Sequence, residues 1–374
     1  MRFQNVCIEG LGYSLPDEIV TSAEVEARLE PLYRRIRLPE GRLELMTGIR
    51  ERRFWPPGTL PSEISVISGE RAIAAAGIDR ARVGALIHGS VCRDFLEPAT
   101  AAGVHCRLDL PSECVIYDVS NACLGILNGI LQVANMIELG QIEAGLVVGT
   151  EGGRQLVETT IEHLNANHNL TREQMKLAVA SLTIGSASVA VLLIHREISR
   201  TGNAITAATA RANTAFHGLC HSGRDESAGD DMRPLMNTDS ETLMREGIAT
   251  GTETFAQFLL DARWSGLDID KTFCHQVGLT HRRLMLEALG LPPAIDYTTV
   301  EFLGNTGAAA LPITMALGVE QGHVDPGDHV ALLGIGSGIN SLMIGVDWQT
   351  SDIVRGDAKT TGSHAVRQGV VQPH

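Results

Sequence analysis

Four groups of residues in this chain have the chemistry of acyl transfer. Cys123, in DVSNACLG, offers a thiol, and His275, in CHQVG, offers a ring that can accept or donate a proton. Asn305, in GNTGAAALP, offers an amide N–H, and the GIGSG run at 334–338 offers backbone N–H groups at a bend that glycine permits. A thiolate can attack a thioester carbonyl while fixed N–H donors hold the resulting oxyanion. A second donor pair can hold the enolate needed to make a carbon–carbon bond. Each member also has an ordinary reading. A cysteine in an apolar segment is most often a small core hydrophobe, a histidine after a strand a satisfied buried ring, and an asparagine at a helix start a plain cap. Spacing along the chain leaves both readings open.

The elements around these residues decide whether they can meet. Residues 113–119, ECVIYDV, read as a short strand, and Leu124, Ile126, Leu127, Ile130, Leu131, Val133, Ala134 and Ile137 then cover nearly every side of a helix. Such a helix is interior, and the pattern puts Cys123 in its first turn, where free backbone N–H groups and the macrodipole favour thiolate over thiol. Buried strands are expected at 83–91, 144–153 and 187–194. Residues 154–180 form a more polar helical insertion, with Thr171 and Gln174 in capping-box spacing. Thr21 and Glu24 have the same spacing at the head of an early helix.

A second series begins with a strand at 204–212, a polar loop at 218–234 and a long helix at 239–261. Segments 271–289, 302–322 and 329–348 follow. HGLCH, with His217 and His221, lacks a second ligand pair at metal-site spacing and reads as loop, so no metal site is expected. Asn121 and Asn305 each lead a small-residue helix and then a buried strand, and a strand bearing His88 or His275 precedes each. The weak repeat implies two duplicated α/β halves, 1–198 and 199–349, whose central helices pack together and bring both sets of helix starts into one site. Residues 350–374 read as a disordered tail.

Composition removes several function classes. A chain of 374 residues with 44% hydrophobic content can bury a large core, and 30 Lys plus Arg against 44 Asp plus Glu gives a net charge of −14. That balance argues against sequence-independent nucleic-acid binding and against adhesion to anionic membranes. The N-terminus has no signal-like pattern and no apolar run reaches the length of a membrane span, so a cytoplasmic location is expected. Seven cysteines without a CxxC pair fit a reducing compartment. Against this acidic background, MTGIRERRF at 46–54 carries Arg50, Arg52 and Arg53.

Taken together, DVSNACLG, CHQVG, GNTGAAALP, GIGSG and TGIRERR resemble, in matching order over nearly the whole chain, the thiolase superfamily in its β-ketoacyl-ACP synthase III branch. The resemblance implies a five-layered αβαβα thiolase fold, a homodimer, Cys123, His275 and Asn305 as a catalytic triad, and the N–H groups of Cys123 and Ser337 as an oxyanion hole. It also implies coenzyme A thioesters as substrates with no separate cofactor, and Arg50 as a phosphate contact. One departure is that Thr280 stands where synthase III enzymes carry a basic residue, with His281, Arg282 and Arg283 displaced from it.

Within the branch, CRDFLEPATA and LLGIGSGIN look most like the enzymes that join two fatty acyl-CoAs head to head at the start of long-chain olefin biosynthesis. In that pattern a glutamate before proline, here Glu97, serves as a base in the neighbouring subunit's site. The implied reaction is a non-decarboxylative Claisen condensation yielding a β-keto acid or thioester, with downstream β-ketoacid-processing enzymes as partners. A decarboxylative synthase III using a malonyl donor and an inactive acyl-binding scaffold remain the alternatives.

Overall fold

The computed structural model describes residues 1–223 and 235–357. The chain opens with β1 (Val6–Ser14), β2 (Glu18–Thr21), the short helices α1 (Ser22–Arg28), α2 (Glu30–Ile36) and α3 (Arg42–Thr47), β3 (Glu51–Phe54) and α4 (Pro61–Ala76). Next come β4 (Val83–Gly89), α5 (Thr100–Leu108), β5 (Val115–Val119), α6 (Gly125–Glu138), β6 (Ala144–Glu151), α7 (Arg154–Ala166), α8 (Arg172–Leu182) and β7 (Ala187–His195). The remainder comprises β8 (Ala204–Ala212), β9 (Cys220–Ser222), β10 (Met236–Thr238), α9 (Ser240–Ala262), β11 (Lys271–Cys274) and α10 (Leu279–Leu289). It ends with α11 (Val300–Leu303), α12 (Ala310–Glu320), β12 (His329–Gly336), β13 (Asn340–Asp347) and β14 (Val354–Arg355).

Local signals account for several boundaries. Thr21 Oγ1 accepts the Glu24 N–H at 3.1 Å while the Glu24 carboxylate accepts the Thr21 N–H at 2.7 Å, the reciprocal cap expected from their spacing. Thr171 and Gln174 cap α8 in the same way. The helical stretch that Thr21 caps breaks at Leu29, between α1 and α2, because Pro31 lacks an N–H and its ring would collide with the preceding turn.

One strand pattern occurs twice. β4 runs parallel to β6, β6 antiparallel to β7, and β7 antiparallel to β1. Likewise β11 runs parallel to β12, β12 antiparallel to β13, and β13 antiparallel to β8. The pair Cys7 and Ala204 links β1 to β8 and so joins the two series, and β5 ends one side of the sheet order.

Alternation along the strands builds five layers. On β7, Val189, Val191 and Leu193 face a central core with α6 and α12, whereas Ala190 and Leu192 face α4 and α5. On β12, Val330 and Leu332 join the central core, and Ala331, Leu333 and Ile335 face α9 and α10. The order is therefore helices, sheet, paired central helices, sheet, helices. Helix α12 is buried from Ala310 through Val319 on every side, which a middle layer requires. Helices α1, α2, α7 and α8 share a separate apolar cluster around Leu32, Tyr33, Ile161 and Leu164.

Gly89 makes the seating of α6 possible: a Cβ there would lie 2.6 Å from the Gly125 carbonyl oxygen, and one at Gly125 would lie 3.0 Å from the Gly89 backbone. Backbone meets backbone at the point where the strand β4 passes the head of the central helix.

The end of the chain differs from its sequence reading. Val354 pairs with Leu11 of β1, Ile353 is buried, and Asp357 forms an ion pair with Arg71 at 2.7 Å, so 350–357 belong to the fold. Polar composition hid the apolar Ile353–Val354 pair that anchors this segment. Residues 358–374 lie outside the described residues, as do residues 224–234 of the loop expected at 218–234.

Candidate active site

Cys123, His275, Asn305 and Ser337 line one cavity of about 1730 Å3. They reach it from four separate turns. Cys123 precedes α6 by two residues, and Ala122 takes φ 44°, a left-handed conformation that costs a non-glycine residue roughly 1–2 kcal/mol. The Leu124 N–H closes the turn onto the Asn121 carbonyl at 2.9 Å. The sharp bend turns the thiol away from the helix and into the cavity.

His275 directly follows β11, its N–H held by the Leu333 carbonyl at 3.1 Å. Its next neighbour, Gln276, accepts the Thr299 and Val300 N–H groups at 2.9 and 3.0 Å and donates to the Tyr297 carbonyl at 2.7 Å. Arg282 on α10 donates to Asp296 at 2.6 Å, and Asp296 also accepts the Cys274 N–H. These bonds lock the strand end to the segment leading to Asn305.

Asn305 bridges across to Ile184, with its N–H on the Thr183 carbonyl and its own carbonyl accepting the Gly185 N–H. Its side-chain oxygen accepts the Gly307 N–H at 3.0 Å, which orients the amide nitrogen as the remaining donor. Ser337 lies in the turn after β12, where Asn340 donates to the Ser337 carbonyl at 3.3 Å and to Asn121 at 3.2 Å. Asn121 in turn donates to Asn128 at 2.7 Å. A Cβ at Gly336 would come within 3.5 Å of the Cys123 nitrogen, so the Ser337 turn packs against the nucleophile candidate.

Electrostatics differ from the sequence expectation at Cys123. Burial pushes its thiol up to about 12, Cys220 and Glu151 push in the same direction, and only its own backbone N–H opposes them. The cysteine stands ahead of the helix rather than in its first turn, and desolvation outweighs the field at the helix start. The resting group is a thiol. Carbamidomethylation of Cys123 by iodoacetamide should therefore rise about tenfold per pH unit from pH 7 to 9. Peptide mass spectrometry reads this directly, and a plateau below pH 8 would contradict the protonation state.

His275 is held neutral. Burial, aided by His281, drives its pKa down to about 3, and burial takes His281 down to about 4. Neither ring nitrogen of His275 has a hydrogen-bond partner, and Nδ1 of His281 has none, among the described residues. Between pH 6.5 and 3 the unfolded chain binds a proton at His275 that the folded chain does not, so stability present above pH 6.5 is lost as pH falls. From pH 7 to 5 this contributes a loss of about 2 kcal/mol. Urea unfolding at the two pH values should show His275→Asn losing about 2 kcal/mol less than wild type; equal losses would mean that the ring is not buried neutral.

Glu97 and Arg50 lie elsewhere. Glu97 is exposed on the 90–99 loop and Arg50 is exposed just ahead of β3, and neither is part of the cavity lining. Arg52, by contrast, is fully buried and donates to Ser22 at 3.1 Å. HGLCH is not all loop, since Cys220 and His221 belong to β9, pair with Thr238 and Asn237 and line the cavity. Among the described residues no cluster of His, Cys, Asp or Glu could hold a metal ion.

Sequence reasoning missed Glu151, Cys92, Cys220 and His281, all of which line the same cavity. The signal for Glu151 was an acid at the end of an otherwise apolar strand, just before Gly152 and Gly153. For His281 it was a second histidine six residues past the first.

Comparison with known proteins follows the same lines. Residues 57–181 match the thiolase N-terminal domain and residues 259–348 the 3-oxoacyl-[acyl-carrier-protein (ACP)] synthase III C-terminal domain. The chain is 42% identical to the acyl-CoA:acyl-CoA alkyltransferase of Shewanella oneidensis, over 93% of this chain and 100% of that one. It is 33% identical to the protein of the same name from Xanthomonas campestris pv. campestris, with the same coverages. Among solved structures, a Glu→Gln variant of Xanthomonas campestris OleA superimposes with a TM-score of 0.87 at 33% identity, covering 93% of this chain and 98% of that one. A Cys→Ser variant of OleA with bound lauric acid and lauroyl-CoA gives 0.86 at 32% identity, covering 92% and 100%. No helix among the described residues is long and apolar enough to cross a membrane. With this identity over essentially full length, and with the paired-half fold already described, the chain belongs to the acyl-CoA:acyl-CoA alkyltransferase (OleA) family of the thiolase superfamily.

Proposed function

We propose that the protein condenses two fatty acyl-CoAs head to head without decarboxylation, through an acyl-Cys123 intermediate. The observation that carries this reading is the convergence of a thiol, a neutral imidazole, an oriented amide and a backbone turn on one large cavity. Its volume exceeds the roughly 300–1,000 Å3 of a usual small-molecule site, as two acyl chains and a pantetheine arm require. The relatives are named for a reaction between two acyl-CoAs, and one OleA structure holds lauroyl-CoA.

In the first half-reaction Cys123 loses its proton as it attacks the thioester carbonyl of the first acyl-CoA, and that proton leaves with the departing CoA thiol. Neutral His275 is suited to carry it, because a ring held unprotonated can accept at the moment of attack. The N–H groups of Cys123 and Ser337 hold the oxyanion. In the second half-reaction Glu97 of the partner subunit removes an α-proton from the second acyl-CoA. His275 and Asn305 hold the enolate oxygen, and the enolate carbon attacks the acyl-Cys123 carbonyl. Collapse expels the Cys123 sulfur, which regains a proton while Glu97 gives up the one it took, and leaves a β-ketoacyl-CoA, which water hydrolyses to the β-keto acid and free CoA.

Glu97 enters because of its surroundings. It is exposed with Val91, Phe95 and Leu96 at 49, 58 and 49% exposure, on the loop that leaves β4 beside the Val119 end of β5, which among the described residues has no strand on its outer side. An apolar rim beside an open strand edge supports a homodimer that covers both. The same reading takes 1–198 and 199–349 as duplicated halves, CoA thioesters as the only coenzyme-like requirement, Arg50 as a phosphate contact at the rim, a cytoplasmic location, and hand-over of the product to a β-ketoacid-processing enzyme.

Purified protein incubated with myristoyl-CoA alone should release CoA and form the β-keto acid or its ketone. Strict dependence on a malonyl donor would assign it to decarboxylative synthesis instead, and no mass gain on Cys123 would assign it to acyl binding without turnover.

A further inference from the structure

One buried carboxylate in the cavity wall is not used by this mechanism. Glu151 ends β6, is 5% exposed and lines the cavity. Its Oε1 accepts two backbone N–H groups, that of Val91 at 3.0 Å and that of Ala308 at 3.2 Å. Val91 is the first exposed residue of the loop that carries Glu97. Ala308 lies in the turn that follows Asn305, and a Cβ on Gly307 in that turn would come 3.1–3.2 Å from the Glu151 carboxyl group.

Neighbouring bonds tighten the same junction. Ser90 donates to the Thr150 carbonyl at 2.8 Å, the Cys92 N–H donates to Ser90 Oγ at 3.0 Å, and the Gly152 N–H donates to Cys92 Sγ at 3.3 Å. The loop that leads out of the molecule is thus rooted in the end of β6. Further along, Asp94 accepts the Ser62 N–H at 2.9 Å and donates its own N–H to Thr100 at 3.2 Å, which closes the loop's far side. A buried carboxyl group with two N–H donors on one oxygen resists displacement, since moving it would leave both donors unpaired.

We propose that Glu151 is a positioning residue that serves two active sites at once. Through a single oxygen it fixes the root of the loop that offers Glu97 to the partner subunit and the turn that sets Asn305 in its own site. The inference rests on the proposed reading that Glu97 acts across the dimer. Its consequence is a division of labour: loss of Glu151 in one chain harms condensation in the neighbouring site without touching that site's cysteine.

Mixed dimers separate the possibilities. A wild-type chain paired with a Cys123→Ala chain has one competent site, built on the wild-type chain and supplied with Glu97 by the other. Its condensation rate with myristoyl-CoA is the reference. Adding Glu151→Met to the Cys123→Ala chain keeps side-chain volume and removes the acceptor. The rate should fall about 10- to 100-fold, the scale of a sub-ångström to ångström misplacement, while acylation of the wild-type Cys123, read as mass gain, stays within about twofold. Glu151→Gln in its place keeps a carbonyl oxygen for the two donors and should recover most of the rate.

An unchanged rate with Glu151→Met, or a loss with Gln as large as with Met, overturns the positioning role. A third mixed dimer carries Glu97→Gln on the Cys123→Ala chain. Full activity there overturns the cross-dimer reading itself. Loss there together with an unchanged Glu151→Met rate overturns only the role of Glu151.

Discussion

Glu97→Gln is expected to leave acylation of Cys123 within about twofold of wild type and to lower condensation of myristoyl-CoA by roughly 10²- to 10⁴-fold, the usual contribution of a positioned general base. An ordinary acyl-CoA has no carboxylate to lose, so its carbanion comes only from removal of an α-proton. The amide matches the acid in size but does not take up that proton. Because Glu97 is exposed and outside the lining of its own cavity, the loss should be repaired in trans. Mixing Glu97→Gln chains with Cys123→Ala chains creates dimers in which one site has both the thiol and a partner's glutamate. Activity well above that of either parent should appear on subunit exchange. Condensation at full rate in Glu97→Gln would remove the assigned base, and failure of the mixed dimers would confine Glu97 to its own chain.

Cys123→Ala should abolish mass gain from acyl-CoA and reduce condensation by at least about 10⁴-fold, the scale seen when one member of a nucleophile–base unit is removed. Adding His275→Ala to it should cost little more, because the two side chains act on the same bond and their losses do not add. His275→Ala alone is expected to be nearly as severe, with the thiol of Cys123, already pushed up to about 12, deprived of the neutral imidazole proposed to take its proton. A Cys123→Ala chain that still formed product at more than a small fraction of the wild-type rate would mean that acyl transfer does not pass through this sulfur.

Much of the architecture was legible because it rests on short-range rules. The reciprocal caps at Thr21 and Thr171, the strand at Ala204–Ala212 and the long helix beginning after Asp239 follow from spacing and periodicity within a few residues. The repeat of Asn-led helices pointed to paired halves, and β4, β6, β7, β1 and β11, β12, β13, β8 carry it out in matching pairings. Apolar residues on nearly every side marked α6 as interior before any contact was known, and the Asn-led repeat set α12 beside it as the second central helix.

Other features depended on partners distant along the chain. The position of Cys123 relative to its helix was misjudged because the bend at Ala122 is sustained by Gly89 meeting Gly125, a contact between segments 36 residues apart. The direction of its proton affinity was misjudged for a related reason. A helix start acts locally and favours thiolate, whereas burial is a property of the assembled cavity and here prevails. Glu151 was passed over since its role lies in Val91 and Ala308, residues that nothing in AGLVVGTEGG foretells.

Sequence by itself determined the inventory: which residues could attack, donate and accept, which helices would be interior, and that two similar halves would share them. These depend on side-chain chemistry and on periodicities that a chain carries before it folds. Tertiary structure alone decided how those groups are charged, which way they face, and that one buried acid joins an outward loop to an inward turn. Such properties come from exclusion of water and from backbone contacts between remote segments, and neither exists until the layers have closed.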